Sequence, residues 1–259
     1  MIRPGIAGCA LALLLAAGLA AGCSHSPPAV AHREPATPLD MSTVGAITGV
    51  VRFTGTPPAM PVLDMSGAPG CAPAGAPQVR DQAVVVNPNA TLRWAFVYIA
   101  KGLQGWRFDP PSSPAKLIQQ GCRFHPHVLG LMAGQALEIS SRDSVVHNVH
   151  AAPRRNGPWN ISMLPGAAPV TETFPQPEVM IPVECNVHAW MHAYVGVVDN
   201  PYFAVTGRQG RFRLLNVPPG HYMLAVWQQR YGLRRQEINL LPRQHLQVVF
   251  TYSASGSNP

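Results

Sequence analysis

The sequence predicts an all-β protein of the sandwich type, and three observations predict it. Short runs of β-branched and aromatic residues recur along the chain, each bounded by Gly, Pro or Asn. The 23 glycines and 28 prolines among 259 residues suit frequent turns better than long helices. No helical hydrophobic period is sustained between the turns, and the proline density opposes one.

The elements follow in order. "AITGVVRFTG" places β-branched residues ahead of a Thr-Pro-Pro break, and "QAVVVNPN" and "LRWAFVYIAKG" flank an Asn-Pro turn. "ALEISSRDSVVHNVHAA" holds two short β-type runs around a polar bend. "VMIPVECNVHAW" and "HAYVGVVDN" then read as strand, loop and strand. From residue 203 the texture changes to strict alternation around a Pro-Pro-Gly turn, with Phe212 and Leu214 before it and Tyr222, Leu224 and Val226 after. "EINLL" and "HLQVVFTY" add two more strands.

Hydrophobic residues make up 47% of the chain, enough for a proper core, and charged residues only 12%. The formal charge of +7 suits an acidic partner or anionic headgroups. No basic and aromatic residues interleave as a nucleic-acid platform does, so no nucleic-acid partner is expected.

The N-terminus, "MIRPGIAGCALALLLAAGLAAGC", has Arg3, an apolar run and small residues before Cys23, the layout of a secretory signal. Its ending "LAAGC" resembles a bacterial lipobox, which implies cleavage after residue 22 and lipidation of Cys23. The Pro-, Ser- and Ala-rich stretch 23–43 reads as a tether. Ser24 is compatible with sorting to an outer membrane, so the expected location is the cell envelope, lipid-anchored and facing the periplasm.

Of five cysteines, Cys9 leaves with the signal and Cys23 takes the lipid. Three remain, and in an oxidising compartment two should pair. Cys71 and Cys122 lie in Gly-flanked stretches suited to bridging, which leaves Cys185 as the odd thiol. A bound metal would protect it.

Cys185, His188 and Met191 lie within seven residues, and "HNVH" upstream supplies a fourth donor. Side chains three apart on a strand point to opposite faces, so only one of His147 and His150 can join. Two imidazoles, a thiolate and a thioether form the donor set of a mononuclear blue-copper site. Zinc would accept the Cys and both His but suits a Met poorly. A binuclear copper centre needs a Cys at position 181, which is Ile, and a c-type haem needs an absent Cys-x-x-Cys-His.

"HNVH" followed by Cys-x2-His-x2-Met resembles the amicyanin/plastocyanin-like cupredoxins, including the methylamine-utilisation type of exported copper protein, over about 115–200. The resemblance implies a Greek-key sandwich, one copper ion per chain, and His147, Cys185, His188 and Met191 as its ligands. It makes Asn148 the residue that ties the ligand strand to the Cys loop. Glu184 stands where many relatives carry an aromatic, and Ala189 where amicyanins have Pro. The segment "G-x-F-x-L-x-N-V-P-P-G-x-Y" resembles the carboxypeptidase regulatory-like module, a small transthyretin-type sandwich, and "ITGVVRFTGTPPA" resembles the first strand of that module.

The domains expected are therefore a signal at 1–22, the tether at 23–43, a cupredoxin domain with an N-terminal extension at 44–202, the β module at 203–253 and a tail at 254–259. The module is open to completion by 45–58. Four protein ligands leave no vacancy for a substrate, so electron transfer is expected and not an enzyme. His188 near the surface is the expected exit edge, with Val187, Ala189 and Trp190 as the contact patch for a redox partner. The alternatives are a copper carrier or metallochaperone, and a metal-free structural lipoprotein. An enzyme would require a further centre from His125, His127 and His192.

Overall fold

The computed structural model describes residues 36–68, 70–71 and 77–255. The expected signal, Cys23, most of the tether and residues 256–259 lie outside the described residues. Among those described, every regular element is a strand. In chain order the first nine are β1 (Gly45–Thr54), β2 (Val85–Val86), β3 (Leu92–Arg93), β4 (Phe96–Lys101), β5 (Ala115–Gln119), β6 (Phe124–His125), β7 (Val128–Met132), β8 (Ala136–Ser141) and β9 (His147–Ala151). The second nine are β10 (Trp159–Met163), β11 (Val170–Thr173), β12 (Glu178–Glu184), β13 (His192–Val198), β14 (Phe203–Val205), β15 (Arg211–Val217), β16 (Gly220–Gln228), β17 (Gly232–Leu240) and β18 (His245–Ser253).

Strands β2 and β3 pair with each other, and the other sixteen form two pairs of sheets. One pair, in the order β11-β8-β5-β6 and β10-β9-β12-β13-β7, uses residues 115–198. The other, β15-β1-β18 and β14-β4-β16-β17, draws on both flanks of the chain. Strand β1 lies between β15 and β18, and β4 pairs with β16 from Val97 opposite Val226 to Ile99 opposite Leu224. Strands β1 and β4 share their sheets with strands of 203–253, because the apolar faces of β1 and β4 have their partners there.

Alternation explains each core. Phe212, Leu214, Tyr222, Leu224 and Val226 are buried with Ile47, Val51, Phe53, Phe250 and Tyr252. Burying such a side chain contributes about 1.5–3 kcal/mol. Two buried tyrosines have their hydroxyls paired: Tyr222 donates to the Pro218 carbonyl at 2.6 Å and Tyr202 to that of Asn216 at 2.9 Å. The other core gathers Leu117, Phe124, Leu137, Ile139, Val149, Ile181 and Val195, and it includes Cys185 and Met191.

The two sheet pairs meet on Phe96. Gly130 of β7 and Gly196 of β13 are opposite one another in parallel register. A Cβ on either would stand 2.6 Å from the Phe96 ring, so the two bare backbones form its seat.

Candidate metal centre

The site lies where β9 begins and the loop from β12 to β13 turns. Val183 pairs with Ala151 and Glu184 with His150, which leaves Cys185 alongside the first half of β9. There the Asn148 N–H approaches the Cys185 sulfur at 3.5 Å. The loop closes on itself: Met191 N–H donates to the His188 carbonyl at 2.9 Å, and Cys185 N–H to the Met191 carbonyl at 3.1 Å. Asn148 Oδ1 accepts the Asn186 N–H at 2.5 Å, and its Nδ2 donates to Asn160 Oδ1 at 2.6 Å. Strands β9 and β10 are thus bound to the loop through one side chain.

Donor atoms converge inside this frame. His147 Nδ1 and His188 Nδ1 face each other at 3.0 Å, and the Cys185 sulfur stands 3.8 Å from His188 Nδ1. The ligand atoms of His147, Cys185 and His188 all lie within 4.8 Å of one another. Met191, at the loop's far end, is buried in the same core cluster as Cys185. A metal takes imidazole nitrogen at about 2.0–2.1 Å and thiolate at about 2.3 Å. The separations correspond to two such bonds meeting at one centre, so the donor set fits a single ion.

Electrostatics favour a thiolate here. Burial pushes the Cys185 thiol up, but bonds from His147 and from the N–H groups of Asn148, His188 and Val187 outweigh it and hold the thiol below its usual range. Burial likewise opposes a charge on His147, yet the bonds to Cys185 and Asp143 win and raise its affinity for a proton. His188 is pulled the other way, by burial first and by the neighbouring His147 second.

One functional residue escaped the sequence reading. His147 Nε2 bonds Asp143 Oδ2 at 2.9 Å, and this carboxylate also accepts the N–H groups of Gly121 at 2.6 Å and Cys122 at 2.9 Å. The available signal was a carboxylate four residues before the His in "RDSVVH". A partner on the far ring nitrogen fixes the tautomer and orientation of a metal-binding imidazole.

The disulfide joins Cys71 to Cys122, and Cys185 is the free thiol. His188, expected near the surface, lies against this disulfide. His188 is 6% exposed, and its Nε2 lies 3.4 Å from Cys71 Sγ. Pairing with Cys122 draws the loop carrying Cys71 across this end of the sandwich. Trp190 is half-buried, with its indole N–H on the Cys122 carbonyl at 3.0 Å and its ring beside that of His188. Val187 and Ala189 are exposed. Val146 and Leu164 are exposed as well, and they flank the paired His147 and Met163.

His150 pairs across from Asn160 and Glu184 and joins no ligand group among the described residues. His125 bonds the Gln120 carbonyl at 3.1 Å, while His127 meets Gln229 Oε1 at 2.8 Å and packs edge-on against His192. These three histidines form no ligand group among the described residues.

No family model and no curated protein matches the chain. Among solved structures it is similar to a purple cupredoxin from Nitrosopumilus maritimus, at 19% identity and a TM-score of 0.28 over 32% of this chain and 98% of that one. It is also similar to a copper-containing nitrite reductase from Thermus scotoductus SA-01, at 18% identity and a TM-score of 0.32 over 40% of this chain and 25% of that one. An oxidised amicyanin mutant is similar at 15% identity and a TM-score of 0.30, over 39% of this chain and 97% of its own.

Proposed function

We propose that this chain is a mononuclear type 1 (blue) copper protein that passes single electrons at a bacterial cell envelope. The observation that carries the reading is the convergence of the Cys185 sulfur with the Nδ1 atoms of His147 and His188 in a buried setting. Soft thiolate and thioether donors select copper, and imidazole suits both of its oxidation states. Those three residues would hold the ion, with Met191 as the weak fourth ligand. Bound there, copper would supply a one-electron couple. Asp143 fixes the His147 ring, and the Asn148 ties hold the loop, so the donors keep one arrangement in both redox states. Burial keeps bulk water from the sulfur, and four protein ligands would leave no vacancy for a substrate, which favours a carrier over an enzyme.

The partner would be a redox protein docking on the exposed Val187 and Ala189, extended by Val146 and Leu164. Electron-transfer encounters need only a small interface. Attachment would be through a lipid on Cys23, with the domain facing the periplasm and the outer membrane the favoured site. The sheets built from 45–101 and 203–253 are read as a carboxypeptidase regulatory-like module interrupted by the copper-binding sheets.

The test is an optical spectrum of the purified oxidised protein with metal analysis. One copper per chain and an intense visible thiolate-to-copper band are expected. A colourless protein after addition of Cu(II) would overturn the reading.

A further inference from the structure

His188 presents a different nitrogen to each of two sulfur groups. Its Nδ1 faces Cys185 and His147, while its Nε2 faces the disulfide at 3.4 Å from Cys71 Sγ. The sulfurs of Cys71 and Cys122 and a nitrogen of His188 lie within 4.8 Å of one another, and all three residues are buried. The copper site proposed above uses His188 but neither Cys71 nor Cys122. A disulfide sulfur is a poor donor, whereas a thiolate is a strong one for soft ions.

We propose that Cys71, Cys122 and His188 form a cuprous-ion entry site when the disulfide is reduced. Both cysteines have further contacts besides the S–S bond. Cys122 is held by its N–H on Asp143 and by its carbonyl under the Trp190 indole. Cys71 donates its N–H to the Ala68 carbonyl at 2.8 Å, and Gly70 lies so close against Val145 that a Cβ there would stand 2.2 Å from that side chain. With these contacts kept, opening the bond would leave two thiols beside one imidazole.

The chemistry balances. An exported dithiol of the Cys-x-x-Cys class gives two electrons and two protons to the S–S bond, producing two thiols here and a disulfide in the donor. Cu(I) then binds as the two thiol protons pass to solvent. The same couple in reverse takes two electrons from the thiolates, remakes the S–S bond and expels the ion. A neutral imidazole has one in-plane lone pair, so His188 serves one ion at a time. The outer cluster is thus a loading position and not a second permanent centre. Oxidised, it becomes the cover over His188.

The test uses the full chain carrying Cys185→Ser, so that it does not depend on the site proposed above. The reduced protein is titrated with Cu(I) against a competing chelator and examined by X-ray absorption. Two thiolate sulfurs and one nitrogen are expected, with affinity at least 100-fold above that of the oxidised variant, whose copper would show no thiolate sulfur. Adding His188→Ala should weaken the reduced protein at least tenfold. Two sulfurs without nitrogen, or an affinity unmoved by His188→Ala, would overturn the proposal and leave an ordinary dithiolate. Loss of near-ultraviolet circular dichroism on reduction would overturn it as well, because the cluster would then exist in no folded state. A colourless wild type with copper-binding reduced Cys185→Ser would sink the blue-copper reading and leave this one standing.

Discussion

Asp143 Oδ2 meets His147 Nε2 at 2.9 Å while the other nitrogen of that ring faces His188. One carboxylate therefore orients the imidazole proposed as a metal ligand and, through the N–H groups of Gly121 and Cys122, the turn that carries the disulfide.

Asp143→Asn should weaken copper binding by about 10- to 100-fold, the usual effect of losing such a partner. Competition titration of the oxidised protein measures it. Unchanged affinity would show that the His147 ring is oriented by its strand alone.

The ligand set separates by substitution. Cys185→Ser should abolish the visible band, and His147→Ala should lose copper while His150→Ala keeps it. Met191→Leu should retain copper and raise the potential, since the axial ligand tunes it. Voltammetry and metal analysis read all four, and a coloured Cys185→Ser protein would remove the thiolate from the site.

His127 gives the apoprotein an acid limb. Burial pushes its value from 6.5 down to about 4, opposed by the Gln229 bond and Asp81 and assisted by His192. The unfolded chain therefore takes up this proton first. The stability tied to the neutral ring is complete above about pH 6.5 and drains away as pH falls towards 4, by about 3 kcal/mol in all. Urea midpoints at pH 7 and pH 4.5 should differ less in His127→Gln than in wild type, and an equal difference would assign the limb to the carboxylates.

Gly196→Ala should destabilise the fold by about 1–3 kcal/mol, the usual cost of overpacking, because the added carbon meets the Phe96 ring. A lower urea midpoint at unchanged slope is the expected signature. A midpoint equal to that of wild type would mean that Phe96 has room to move.

What could be read from the sequence was local. The period-2 burial of Phe212, Leu214, Tyr222 and Leu224 follows from pattern alone, because neighbours on one strand decide it. His147 and Cys185 stood out because strand direction and loop spacing constrain a donor set. The pairing of Val97 with Val226 was not legible, since an alternating strand carries no label for a partner so distant in the chain. Nor was the burial of His188. Nothing within its own loop announces that Cys71, from a segment more than a hundred residues earlier, covers it.

The placement of β1 also sets an order of assembly. Its parallel partner is β18, the last strand among the described residues, with Ile47 beside Leu246 and Phe53 beside Tyr252. During translation the apolar edge of β1 must wait until the ribosome has released residues 245–253, whereas the strands of 115–198 find their neighbours earlier. A premature stop upstream of β18 would strand β1 with one bare flank, offering chaperones and proteases a handle on the incomplete chain.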